Sequence, residues 1–154
     1  MDQALIEHYG NQLRVRVCGL CFQENSLLLV NHSGMAKPDF WAPPGGGMEY
    51  GSNAEANLTR EFAEETGLQV EVGDFAFACE LLAPPLHAVE LFFYVNITGG
   101  TLRIGFDPEV DIIKDVRWLT YADMKTIADG SLHRILRIGD TKAKLEGLRG
   151  FYRI

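Results

Sequence analysis

The sequence predicts an α/β fold, a mixed β-sheet accompanied by few helices. Three observations lead there. Short segments with period-two alternation or runs of β-branched and aromatic residues recur along the chain, as strands require. One amphipathic helical stretch stands between Ser52 and Gly67. The helices are too few to alternate with every strand, which favours a mixed sheet over a doubly wound one. With 154 residues, 47% of them apolar, and no repeat, low-complexity segment or linker, residues 1–154 read as a single domain with one core.

Taken in order, residues 13–22 (LRVRVCGLCF) set Leu13, Val15 and Val17 against Arg14, Arg16 and Cys18 and read as a strand. A polar turn leads to a more buried strand at 26–30 (SLLLV), and the two are expected to form a hairpin. A polar loop over 31–40 follows, then Trp41-Ala42-Pro43-Pro44, whose prolines stiffen the approach to three glycines, Gly45 to Gly47. The helix should begin near Ser52 or Asn53, with Ser52 as N-cap and Glu55 completing a capping box, and end at Gly67. Two strands are expected over 68–72 and 75–82, a break at Ala83-Pro84-Pro85, and a strand over 87–97 closed by a turn at Thr98-Gly99-Gly100. A short strand over 115–119, a short helix over 121–128 and a helix near 131–138 complete the pattern.

A formal net charge of −7 argues against binding a nucleic-acid polymer, which calls for a basic face. It leaves room for small phosphorylated ligands, because a bound cation inverts the local field. No apolar run approaches the roughly 20 residues of a spanning helix. The first residues also lack the basic start and apolar centre of a secretory signal. A cytoplasmic protein with no membrane partner is the expectation. Cys18 and Cys21 have C-x-x-C spacing, but on a strand residues three apart face opposite sides, and no second pair completes a tetrahedral site. With Cys79 they read as buried reduced thiols. A basic tail carrying Arg134, Arg137, Lys142, Lys144, Arg149 and Arg153 reads as a solvated surface.

The chemistry concentrates between Pro43 and Leu68. At about 100° per residue, Glu61, Glu64 and Glu65 fall within one arc of the helix, while Leu58 and Phe62 begin an adjoining apolar face. Like charges at these spacings each cost about 0.2–0.5 kcal/mol, and Arg60 offsets only part of that. Solvation of the face is one way to tolerate the repulsion; a cation is the other. Oxygen-only ligands suit Mg²⁺ or Mn²⁺, and glycines just before the helix let bare backbone approach a diphosphate.

Residues 46–68 resemble the Nudix box, G-x5-E-x7-R-E-U-x-E-E-x-G-U, where U is bulky and apolar. Gly46 and Arg60-Glu61-Phe62-Ala63-Glu64-Glu65-Thr66-Gly67-Leu68 match it. The first box glutamate is replaced by Ser52, which cannot ligate as an anion, though Glu49 lies near. The resemblance implies a Nudix-like α/β/α sandwich with a mixed β-sheet. It further implies Mg²⁺-dependent (or Mn²⁺-dependent) hydrolysis of a nucleoside diphosphate linked to another moiety, by water attack on phosphorus. Glu61, Glu64, Glu65 and the Gly46 carbonyl would hold the ion, and Arg60 would orient a box glutamate. The base would be a box glutamate or a downstream one, with Glu109 and Glu80 as candidates. Arg16, Trp41, Gly45, Gly47 and Glu109 are candidates for substrate contact, with Phe40, Tyr50 and His32 as further wall residues. In the family a proline beyond the box accompanies ADP-ribose hydrolysis, and Pro84 and Pro85 follow the box here. A homodimer is compatible with this reading. The alternatives are a Nudix-like nucleotide-binding or sensor module weakened by the loss at Ser52, and a hydrolase of a non-nucleotide diphosphate.

Overall fold

The computed structural model describes residues 2–33, 38–108 and 112–154, and its strands divide between two sheets. One contains β1 (Gln12–Leu20), β5 (Gly45–Gly47), β6 (Leu68–Ala83), β7 (Leu86–Gly100) and β9 (Phe151–Arg153), in the order β5-β1-β7-β6-β9. It is mixed: β1 runs parallel to β7 and β6 to β9, while β1–β5 and β6–β7 are antiparallel. The other contains β2 (Phe22–Gln23), β3 (Ser26–His32), β4 (Phe40–Ala42) and β8 (Ile113–Thr120). There β8 lies along one edge of β3, and β2 and β4 pair antiparallel with opposite ends of the other edge. The helices are α1 (Gln3–Tyr9), α2 (Ala54–Thr66), α3 (Tyr121–Thr126), α4 (Ile135–Ile138) and α5 (Lys142–Gly147).

Two apolar clusters explain the layering. Val17, Leu28, Val30 and Val95 pack with Leu58 and Phe62 of α2. Cys18, Leu27, Leu29 and Phe92 pack on the other side with residues of α3, α4 and α5, among them Met124, Ile135 and Leu145. Alternate residues of one strand therefore serve opposite cores, which is why β3 is apolar at every position from Leu27 to Val30. Helices on both faces make the α/β/α arrangement, as expected.

Several local expectations are corrected. The segments over 13–22 and 26–30 do not form a hairpin together. β1 lies between β5 and β7, and only β2 folds back on β3, with Phe22 opposite Leu27 and Gln23 opposite Ser26. The chain changes sheets near Cys21 because each segment needs a different partner to cover its faces. The two strands expected over 68–72 and 75–82 are one strand, β6, with register shifts between Val72 and Phe75 and between Phe75 and Phe77. The turn expected at Thr98 to Gly100 is the end of β7, where Gly99 and Gly100 pair with Gln69 and Leu68. Helix α1, helix α5 and the edge strands β4, β5 and β9 carried no periodic signal long enough to read.

Helix α2 is capped one residue later than proposed. Asn53, not Ser52, is the N-cap, and its side chain accepts the Ala56 amide at 2.8 Å. The helix ends as its sequence requires, with Gly67 in the left-handed region at φ 74°. The following chain folds back over that end: the amides of Arg103, Gly105 and Phe106 donate to the carbonyls of Thr66, Glu65 and Glu64. These contacts satisfy acceptors that a helix terminus otherwise leaves to water.

Candidate active site

Strand β5 is the floor of the site. Its glycines pair with Arg16, Val17 and Cys18 of β1, and α2 crosses close above it. A side-chain carbon at Gly46 would collide with the carboxylate of Glu61, so only glycine lets the two elements approach this far. The Gly45 amide donates to Oε2 of Glu65 at 3.1 Å, fastening the helix to the strand.

Glu61, Glu64 and Glu65 face one cleft of about 140 Å³, together with the β5 glycines. Their environments differ. Glu65 is 2% exposed, and besides the Gly45 amide its Oε1 lies 3.8 Å from Nε2 of His32. Glu61 is pushed up to about 7 by burial and the nearby charge of Glu65, against the pull of Arg60. Glu64 is more open, and it too is raised, chiefly by burial, with Asp107 and Glu49 adding like charge. The cluster is thus short of positive charge.

Arg60 is the principal local compensation. Its guanidinium reaches Glu49 at 2.7 Å, Glu61 at 3.0 Å and Glu64 at 3.8 Å. Beneath it the fully buried Asn57 accepts from the Glu49 amide at 3.0 Å and from Arg60 at 3.3 Å. Asn57 also donates to the Asn53 carbonyl at 2.6 Å. One asparagine therefore joins the loop before α2, the helix cap and the arginine. Glu49 lines the cleft, whereas Ser52 does not.

Arg16, on β1, reaches the cleft beside the glycines. Its Nη1 donates to Glu90 at 2.6 Å and its Nη2 makes a long contact of 3.5 Å with the Gly45 carbonyl. Arg14, two residues earlier on the same face, stacks its guanidinium 3.7 Å from the centre of the Tyr9 ring. Leu5, Tyr9, Leu81, Leu86 and Ala88 extend the cleft away from the acids with a more apolar wall.

The structure thus brings together Arg16, Gly45, Gly46, Gly47, Arg60, Glu61, Glu64 and Glu65 around one cleft. It does not bring Trp41 there. The Trp41 ring packs on the core and under Arg117, while its backbone pairs with Asn31 and bridges to Leu132; its neighbour Phe40 lines the cleft instead. Tyr50 is fully exposed and also lies off the cleft. Glu80 is engaged by His87 at 2.9 Å and is not a lining residue. Glu109 lies outside the described residues. Pro84 and Pro85 form the β6–β7 turn off the cleft. Sequence reasoning missed Arg14, Tyr9 and Asp107. Only Arg14 had a usable signal, its period-two relation to Arg16.

The chain has recognisable relatives among known proteins. The chain is 30% identical over 95 residues to an ADP-ribose pyrophosphatase of Methanocaldococcus jannaschii, covering 60% of this chain and 56% of that protein. It is 32% identical over 111 residues to the human diphosphoinositol polyphosphate phosphohydrolase 3-alpha, covering 70% of this chain and 65% of that one. The chain therefore spans less than two thirds of the length of either relative. Among solved structures, a NUDIX hydrolase from Nitrosomonas europaea superposes with a TM-score of 0.67 at 22% identity, covering 96% of this chain and 82% of that one. A MutT NUDIX hydrolase from Burkholderia pseudomallei also gives 0.67, at 20% identity over 88% of this chain and 97% of that one; at such identities these likenesses speak for the fold. The family model described as the NUDIX domain matches residues 12–137, from the first residue of β1 into α4, and this chain belongs to the NUDIX family.

Proposed function

We propose that this protein hydrolyses a nucleoside diphosphate linked to another moiety, with Mg²⁺ or Mn²⁺ as cofactor. The observation that carries this reading is the convergence of Glu61, Glu64 and Glu65 with the glycine strand and Arg16 on a single cleft. The donor set is all oxygen, as these hard cations prefer. Its partial neutralisation by Arg60, together with the upward push on Glu61 and Glu64, leaves a deficit of positive charge that a divalent ion would relieve. Glu61, Glu64, Glu65 and the Gly46 carbonyl are the residues to hold it. When bound, such an ion polarises a phosphoryl oxygen and lowers the pKa of coordinated water.

The chain's own residues supply the rest. The glycine floor admits a diphosphate without side-chain obstruction. Arg60 orients Glu61 through the 3.0 Å contact, and Arg16 offers a guanidinium to a phosphoryl oxygen. The apolar extension under α1 receives the group attached to the diphosphate. ADP-ribose is the first compound to test, a choice supported by the name of the archaeal relative.

The experiment is phosphate or nucleotide release from ADP-ribose, nucleotide sugars, dinucleoside polyphosphates and nucleoside triphosphates, with and without Mg²⁺. Turnover that disappears on chelation and falls at least about a hundredfold in Glu64→Gln is the expected result, since several kcal/mol of electrostatic stabilisation would be lost. Tight binding with no turnover across the panel would instead make the protein a nucleotide-binding module.

A further inference from the structure

Behind the cleft, Arg16 joins a buried polar cluster whose other members the proposed reaction does not itself use. Glu90, on β7, is 2% exposed and sits directly across from Arg16 on β1 and from Cys79 on β6. Its Oε2 accepts from Arg16 at 2.6 Å and from the Cys18 thiol at 3.5 Å. Its Oε1 meets Nε2 of His133 at 2.9 Å and the Cys79 thiol at 3.9 Å. His133 is 4% exposed, and its Nδ1 accepts the Ile135 amide at 3.2 Å. That contact fixes the neutral tautomer: Nε2 carries the proton and donates it to Glu90.

Burying a carboxylate this deeply is costly unless its lone pairs are met, and here they are met by Arg16 and His133. Cys79, Glu90 and His133 have ligand-type donor atoms within 4.8 Å of one another, which raises the question of a metal. The hydrogen-bond pattern answers otherwise. The Nε2 position is taken by a proton, the carboxylate charge is already balanced by Arg16, and burial pushes the Cys18 and Cys79 thiols up, away from the thiolate a metal needs.

Arg16 is the unbalanced member. A guanidinium has five N–H donors in a fixed fork, yet this one makes a single short contact, to Glu90, and a long one to the Gly45 carbonyl. Its Nε is buried without a partner among the described residues. The guanidinium is thus pinned through Nη1, while the side chain, 23% exposed, lines the cleft beside the strand that anchors Glu65. His133 is itself held in place: its amide donates to the Trp41 carbonyl at 2.8 Å, and the Trp41 amide donates to Ser131. The line His133–Glu90–Arg16 therefore runs from the loop before α4, docked on β4 through Trp41, to the edge of the cleft floor.

We propose that Glu90, backed by His133, is a positioning residue for substrate: it fixes the Arg16 guanidinium so that its outer N–H groups engage an oxygen of the bound diphosphate. This rests on the reading of the cleft as a diphosphate site. A guanidinium pinned by a buried carboxylate is pre-organised, so little freedom is lost when substrate arrives.

The test combines kinetics with a readout independent of turnover. In Glu90→Gln, KM for ADP-ribose rises about tenfold or more, the loss of one charge-assisted hydrogen bond, while kcat stays within about threefold. Arg16→Lys gives a similar rise, because an ammonium cannot fill both sides of the fork. The double variant is no worse than either single one, as expected of residues acting as a unit. Should Glu90→Gln fail to fold, His133→Gln, which leaves the Arg16–Glu90 pair intact but slackens it, carries the same measurement with a smaller rise in KM. In ¹H–¹⁵N spectra of the wild type, the Arg16 Nε–H gives a slowly exchanging signal that moves when ADP-ribose is added with Ca²⁺; in the variant it broadens. Unchanged KM in the folded variants, additive effects in the double variant, or an Arg16 signal indifferent to ADP-ribose overturns the proposal. Absence of turnover alongside a shifting Arg16 signal overturns the hydrolase reading and leaves the positioning role standing.

Discussion

At the residue scale, Gly45 and Gly46 are adjacent and chemically identical, yet their substitution should fail in different ways. A methyl at Gly46 meets the carboxylate end of Glu61, a flexible group that can swing aside. Gly46→Ala should keep its fold and lose most of its activity, because the displaced carboxylate no longer faces the cleft; a urea midpoint near wild type beside a turnover assay checks this. A methyl at Gly45 meets the backbone of Val17 and Cys18, which cannot yield without disturbing the β1–β5 pairing. Gly45→Ala should therefore lose about 1–3 kcal/mol of stability or more. Equal stability for the two variants would show that the floor of the cleft is not packed this tightly.

Asn57 illustrates the same scale in a polar setting. It is fully buried and binds the Glu49 amide, the Asn53 carbonyl and Arg60 at once. Replacement by leucine keeps the branched heavy-atom outline and deletes every contact, so buried backbone groups lose their partners. Asn57→Leu should cost about 1–3 kcal/mol in denaturant unfolding, with activity reduced as Arg60 loses its support.

At the element scale, α2 owes its start to Asn53 and its finish to Gly67 and the returning chain. Asn53→Ala should destabilise by about 1 kcal/mol, the usual loss of an N-cap, whereas Ser52→Ala should change stability by no more than a few tenths of a kcal/mol. Chemical denaturation of the two variants side by side distinguishes the observed cap from the one its sequence suggested. The returning segment matters as much. A side chain at Gly105 would strike the carbonyls of Glu64 and Glu65, so only a bare backbone can seal that helix end and lead Asp107 into the cleft.

At the scale of the whole molecule, the two cores are joined by β1 and β3, and the hydrogen-bonded line His133–Glu90–Arg16 runs from the loop before α4 to the β1 side of the cleft. Burial disfavours the Glu90 charge, but His133 and Arg16 outweigh it and hold the carboxyl down to about 2, from an ordinary value of 4.5. With the folded value below the unfolded one, the stabilisation is fully present above the unfolded value and is lost as pH falls toward the folded one. Across that window the unfolded chain binds up to about one more proton through this group, so stability should fall with acidification. Glu90→Gln should flatten that slope by up to about one proton, measured by urea unfolding between neutral pH and pH near the lower value. It should also be less stable at neutral pH by about 1–3 kcal/mol, because the partly buried Arg16 loses its charged hydrogen-bond partner.

The sequence by itself determined α2: its approximate span, its end at a glycine that must take positive φ, and the common face of Glu61, Glu64 and Glu65. Those features follow from the helical period, which is local and needs no knowledge of the remaining chain. It also determined that the glycines precede the acids closely enough to meet them. The tertiary structure decided what lies across from each. Arg16 finds Glu90, 74 residues away, through the parallel register of β1 and β7, and Trp41 turns to the core while Phe40 faces the cleft. Strand partners and register are set by which faces must be buried together over the whole chain. Two apolar strands in succession could not reveal that they belong to different sheets, because apolar character on both faces reports burial and not the identity of what does the burying.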